Sequence, residues 1–114
     1  MKGEITMNYL FNTMLDNREK LIQKFINKSS KSLIKYIKKM VKQGLDVDEV
    51  AIHELNISLK DIKKLVDDTD MIFQAISNVV EKYYCFDVSV EFCNNKDVFY
   101  NYETTIFRIT IKNE

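Results

Sequence analysis

The chain has no proline and no tryptophan, and only two glycines, two cysteines and one histidine in 114 residues. Each shortage closes off a class of function. Two glycines cannot supply the glycine-rich loop whose backbone amides cradle nucleotide phosphates. The lone histidine, His53, has no cysteine or carboxylate cluster converging on it and is expected as a packed or hydrogen-bonded side chain, not a metal ligand. Cys85 and Cys93 lack Cys-x-x-Cys spacing and stand in strand-like sequence, so reduced packing thiols are expected. No nucleophile stands beside a base at a recognisable spacing, so no catalytic residue, metal or cofactor is expected. There is neither an apolar run of membrane-spanning length nor a signal-peptide segment behind the Met-Lys-Gly-Glu start, which leads to the expectation of a cytoplasmic protein.

What remains is an ordinary globular composition, 46% hydrophobic and 30% charged, of a size that fits one domain. Richness in Lys, Asn and Ile, without Pro or Trp, is what AT-rich coding sequence produces, as in a low-GC bacterium or its mobile elements. The formal net charge of zero conceals a division. Residues 1–44 carry ten Lys/Arg against three acids, +7, and residues 45–114 carry seven against fourteen, −7. Two readings of that division stand side by side. It is either a pair of solvated faces that balance each other, or an electrostatic footprint for nucleic acid on the basic half.

In chain order, Met7, Phe11, Met14, Leu15, Ile22, Phe25 and Ile26 recur at three- and four-residue steps and predict a helix over 4–27. Asn27-Lys28-Ser29-Ser30 reads as a break, with a serine free to cap a second helix over 31–43. That second helix pairs a stripe of Leu33, Ile34, Ile37, Met40 and Val41 with a polar side of Lys31, Lys35, Lys38, Lys39 and Lys42. Gly44 ends it. From Val50 the pattern alternates, with Ala51, His53, Leu55 and Ile57 on one parity; a helical turn over 48–55 competes with a strand there. Ser58-Leu-Lys-Asp61 resembles a capping box ahead of Ile62, Leu65 and Val66, which predicts a short helix. Asp67-Asp68-Thr69-Asp70 breaks it and caps the next helix, 71–84. The spacing of a calcium loop is absent, so no metal is expected at these carboxylates. That helix turns Ile72, Phe73, Ile76, Val79, Val80 and Tyr83 inward. It exposes Gln74, Ser77, Asn78, Glu81 and Lys82, of which Gln and Asn can pair with an adenine edge. Phe86, Val88, Val90 and Phe92 alternate as a half-buried strand, and Phe107, Ile109 and Ile111 as another. Asn94-Asn95-Lys96-Asp97 reads as the turn between them, with a bulge or second turn at 101–105 where the parity changes.

Strand, short helix, turn, longer helix and hairpin is the order found here in HELNIS, SLKDIKKLVDD, DMIFQAISNVVEKYY, and FDVSVEF with IFRITIK. Over residues 50–112, with 31–43 as first helix, this order resembles the winged helix-turn-helix domain of plasmid replication initiators. It is also similar to a stand-alone winged helix such as a relaxosome accessory protein of a conjugative plasmid. The resemblance implies an α+β fold, with N-terminal helices followed by a C-terminal β-hairpin wing. Its parts would be a helical extension at 1–28, a helical core holding the helix-turn-helix at 29–84, and wing strands at 85–114. The implied function is sequence-specific, non-catalytic binding of double-stranded DNA in transfer or replication of a mobile element. Lys31, Lys35, Lys38, Lys39 and Lys42 would contact phosphates, and Gln74, Ser77, Asn78 and Lys82 would read bases. The wing would add Asn94, Asn95, Lys96, Tyr100, Asn101, Tyr102 and Arg108. A small transcriptional regulator of the same fold is one alternative. A phage- or plasmid-encoded inhibitor or adaptor that binds protein through the acidic half is another. The expected partners are DNA, a second copy through the apolar first helix, and other plasmid-processing proteins, with no membrane.

Overall fold

The apolar stripe of the first 42 residues folds into one element. In the computed structural model, which describes residues 2–97 and 102–113, helix α1 runs unbroken from Lys2 to Lys42. The expected break at Asn27–Ser30 is therefore corrected: the extension expected at 1–28 and the first helix of the core expected from 29 are parts of one helix. Ser29 and Ser30 do not cap a new helix; both are buried, in register with Ile26, Leu33, Ile37 and Met40 on the core side. Asn27 stays on the outer side, where its Oδ1 accepts a hydrogen bond from the Gln23 side-chain amide at 3.0 Å. Packing of that stripe outweighs the weak helix preference of Asn and Ser, and no proline is present to enforce a stop. The helix ends as expected at Gly44 (φ 73°). The amide of Leu45 donates to the Met40 carbonyl and that of Gly44 to Val41, the paired bonds of a left-handed C-terminal cap.

Strand β1, Val47–Ala51, is followed by a 3-10 turn, Ile52–Leu55, so strand and helical turn each hold for half of this stretch. The change of conformation also changes which residues face inward: Val50, Ala51, Ile52 and Leu55 are buried, and His53 is exposed rather than packed. The expected short helix over SLKDIKKLVDD is another correction. It is only a 3-10 turn, Ile62–Lys64, anchored by buried Ile62 with Leu59 and Val66 half-buried. Eleven residues are too few for a helix to persist without a continuous packed face.

Helix α2, Thr69–Tyr83, opens with Asp68, whose carboxylate accepts the Asp70 amide at 3.0 Å. Ile72, Phe73, Ile76 and Val80 are buried as expected, whereas Val79 and Tyr83 are exposed. Strands β2, Val88–Asp97, and β3, Tyr102–Ile111, pair antiparallel in an unbroken ladder from Val88↔Ile111 to Asp97↔Tyr102. Asn94 to Asp97 therefore belong to a strand and not to a turn, and Thr104 and Thr105 pair without a bulge. β1 pairs on the other side of β3, giving an antiparallel sheet of order β1-β3-β2. The core lies between α1, α2 and one face of this sheet. At its centre Phe73 meets Phe107 edge-on at 6.0 Å and Phe92 at 5.9 Å. The molecule is thus α+β, with two α-helices and a three-stranded sheet among the described residues.

β2 begins two residues later than its sequence pattern. Cys85 and Phe86 both take positive φ (52° and 65°), and Phe86 is 60% exposed. The Phe86 amide donates to the Glu81 carbonyl and the Cys85 amide to Lys82, so Cys85 holds the capping position that Gly44 holds in α1. Cys85 and Cys93 are surface residues, not packing thiols.

Candidate nucleic-acid interface

Because α1 does not break, its lysines share one frame. At about 100° per residue, Lys20, Lys24, Lys28, Lys31, Lys35, Lys38, Lys39 and Lys42 all fall within an arc of about 100°. They form a ladder about 33 Å long at about 1.5 Å per residue, and each of the eight side chains is exposed. No acidic residue interrupts the sequence between Lys20 and Lys42.

The C-terminal part of the ladder has a shaped wall. A groove of about 590 Å³ is lined by Lys35, Lys38, Lys39 and Lys42 with Ser32 and Tyr36 on one side, and by Glu54, Leu55 and Asn56 on the other. The second wall exists because the chain turns back after β1 and Asn56 accepts left-handed backbone (φ 58°). Glu54 is partly committed to structure, accepting the Ala51 amide at 3.2 Å. The Tyr36 hydroxyl donates to the Asp48 carboxylate, which ties the helix to β1. Burial first, then that hydrogen bond and the nearby carboxylates of Asp48 and Glu54, push the Tyr36 phenol up to about 12. Lys20, Gln23, Lys24, Asn27, Lys28 and Lys31 line a second groove, of about 540 Å³, further along the same helix.

The expected base readers are divided by burial. Gln74, Asn78 and Lys82 are exposed at four-residue steps along α2, and the Gln74 amide donates to Asn78 Oδ1 at 2.9 Å. Ser77 is fully buried and its hydroxyl has no hydrogen-bond partner among the described residues, so it is removed from the base-reading set. It lies one residue from Asn78 but a turn of about 100° around the helix from it. Glu81, expected on the outside, is half-buried and accepts the Val90 amide at 3.0 Å, joining α2 to β2.

The start of α2 is acidic. Asp67, Asp68 and Asp70, with Lys63, Val66, Thr69 and Asn94, line a polar groove of about 600 Å³. Three carboxylates here oppose a phosphate, so the helix end that ordinarily welcomes anions is closed to a nucleic-acid backbone.

Asn94 is corrected from a turn-tip contact to a bridge. It lies in β2, its side-chain Nδ2 donates to the Asp70 carboxylate, and its Oδ1 accepts from the Thr105 hydroxyl. Arg108 is exposed on the outer face of the sheet, in a row between Glu49 of β1 and Glu91 of β2. Two flanking carboxylates offset its charge, which weakens it as a phosphate contact. Asn95 and Lys96 lie in β2 and Tyr102 in β3, in the paired part of the hairpin. Tyr100 and Asn101 lie outside the described residues.

The structure thus brings Lys35, Lys38, Lys39 and Lys42 together in one groove and sets Lys31 in the next. It groups Gln74, Asn78 and Lys82, and it does not join Ser77, Asn94 or Arg108 to either set. Lys20, Lys24 and Lys28 escape a reading of the sequence that ends a helix at 27–30. The signal for them is their spacing, which continues in phase across that point. Among the described residues no group of three His, Cys, Asp or Glu gathers as a metal site, and no helix is long and apolar enough to cross a membrane. No family model matches the chain, and neither a curated protein nor a solved structure does.

Proposed function

We propose that the protein binds double-stranded DNA without catalysis, gripping the phosphate backbone with the lysine ladder of α1. The observation that carries this reading is the ladder itself: eight exposed lysines on one arc of a continuous helix, with no acid among them. Like charges spaced by one turn repel each other, which costs the isolated helix a few tenths of a kcal/mol per pair. A polyanion lying along the ladder converts that cost into binding, because each neutralised phosphate releases condensed counterions.

The fold supports the reading at a coarser level. An α+β arrangement in which β1 pairs outside a β2–β3 hairpin and α2 precedes the hairpin is compatible with a winged helix. On this proposal the ladder positions the protein, and Gln74, Asn78 and Lys82 supply what sequence discrimination there is. Contact at the acidic start of α2 is excluded from the scheme, which departs from the usual approach of a recognition helix by its N-terminal end. A role in transfer or replication of a mobile element follows from the resemblance noted in the sequence and is proposed on that ground.

The test is duplex binding followed by fluorescence anisotropy at two salt concentrations. Replacing Lys38 and Lys39 together by Ala is expected to weaken binding to every sequence tried and to flatten the salt dependence. Unchanged affinity of the double variant at low salt would remove the ladder from the site and favour a protein partner for the acidic half.

A further inference from the structure

The first turns of α1 leave the body of the protein. At about 1.5 Å per residue its 41 residues reach about 60 Å, nearly the full 64 Å length of the molecule. Among the described residues, α1 contributes nothing to the core before Ile22. Yet the arm is apolar. Leu10, Phe11 and Leu21 are 63%, 59% and 53% exposed, and Met14 and Leu15 are also exposed. These five side chains fall within an arc of about 140° at about 100° per residue. A contiguous patch of that kind on a lone helix marks a contact surface.

We infer that this arm pairs antiparallel with the arm of a second copy of the chain. Charge selects both the occupant and its direction. Residues 8–19 carry only Asp16, Arg18 and Glu19, whereas residues 20–42 carry eight lysines and no acid. A parallel pair sets two such lysine segments side by side; an antiparallel pair sends them to opposite ends. The seam Phe11, Met14, Arg18, Leu21 steps by three and four residues, the spacing of a two-helix contact, and ends where Phe25 packs on the chain's own core. Setting Phe11 level with Leu21 of the second copy puts Met14 level with Arg18 and keeps Arg18 from facing itself. The aliphatic stem of Arg18 covers the seam while its guanidinium reaches water. Pairing confined to residues 8–24 of each copy is a small contact beside the ~800 Å² per partner of a standard stable interface. The dimer is therefore expected at micromolar concentration.

The antiparallel arrangement has a consequence that rests on the DNA reading. The centre of the ladder lies about 100° around α1 from the centre of the seam, at about 100° per residue. The two-fold axis of an antiparallel pair is perpendicular to the plane of the two helices, so it turns both ladders to the same side. A parallel pair turns them to opposite sides. Antiparallel pairing about residue 16 gives one basic face about 80 Å long, with a gap of about 12 Å between the two Lys20 positions, at about 1.5 Å per residue. That face spans a little more than two turns of duplex, at about 35 Å per turn.

Sedimentation velocity on the full chain without DNA, from 1 to 100 μM, tests the pairing. A monomer that converts to dimer across this range is expected, and a variant with Phe11→Asp and Leu21→Asp should remain monomeric with its circular dichroism unchanged. Direction is read by mixing Phe11→Cys copies with Leu21→Cys copies, both carrying Cys85→Ser and Cys93→Ser, and adding a short bis-maleimide. Cross-links between the two kinds of copy are expected. Self-links of the Phe11→Cys copy, or a monomer at 100 μM, would overturn the inference. A wild-type dimer without affinity for DNA would leave the pairing standing and remove the DNA reading, so the two failures are distinguishable.

Discussion

Cys85 holds a backbone position that costs any residue with a side chain about 1–2 kcal/mol. Its φ of 52° closes the cap of α2, the place taken by Gly44 in α1, and its side chain is exposed, so its removal sacrifices little packing. Replacing Cys85 by Gly should therefore raise stability by about 1 kcal/mol, seen as a higher midpoint in urea unfolding with the same slope. Tyr36 gives a second residue-scale expectation. Its phenol is held up to about 12, so the neutral form is favoured in the folded chain. That contribution is fully present below about pH 10 and is lost as pH rises through about 12. A titration at 295 nm should show this tyrosine ionising late, and Tyr36→Phe should remove that late step. Tyr84, also raised by burial and by neighbouring Tyr83, remains as the other late group. The buried positions of α2 were legible in the sequence, since Ile72, Phe73, Ile76 and Val80 keep helical spacing. Ser77 was not. A serine carries no mark of its side, and here it lies on the buried arc, its hydroxyl without a partner among the described residues.

At the scale of elements, the informative difference is between α1 and the expected pair of helices. Asn, Lys, Ser and Ser in a row favour a cap when weighed locally, but Ile26, Ser29, Ser30, Leu33 and Ile37 form one buried line once tertiary packing is added. The inner parts of the hairpin strands, with their clean alternation at Val88, Val90, Phe107 and Ile109, were legible. Asn94 to Asp97 read as a turn because Asn, Lys and Asp favour turns locally, and the cross-strand pairing that makes them strand leaves no mark in composition. The stretch from 58 to 66 was not, because its capping signal is real but its helix is too short to persist. Continuity of α1 makes a prediction that two separate helices would not make. Lys20, Lys24 and Lys28, replaced together by Ala, should weaken duplex binding by the same mechanism as Lys38 and Lys39. Both sets should reduce the slope of log affinity against log salt by about 0.9 for each phosphate left without its lysine. Amide exchange through residues 26–33 should also be as slow as in the helix on either side.

For the whole molecule, the net charge of zero is a sum over two regions with different surroundings. The positive region is an exposed ladder along the long axis. The negative charge is dispersed: over the start of α2, where Asp68 serves as a cap, and over the outer sheet face, where Glu49 and Glu91 flank Arg108. A polyanion therefore meets a continuous line of lysines along α1, with Glu54 across the groove from its C-terminal part, and repulsion at the acidic faces, which orients the encounter. The central claim is that this line neutralises phosphates, and the salt dependence of duplex binding tests it most directly. A ladder of eight lysines crossing the duplex backbones should engage about four to six phosphates. Log affinity should then fall with log salt at a slope of about −4 to −5, at about 0.9 per phosphate. A slope near zero, or no duplex binding at low salt, would contradict the account.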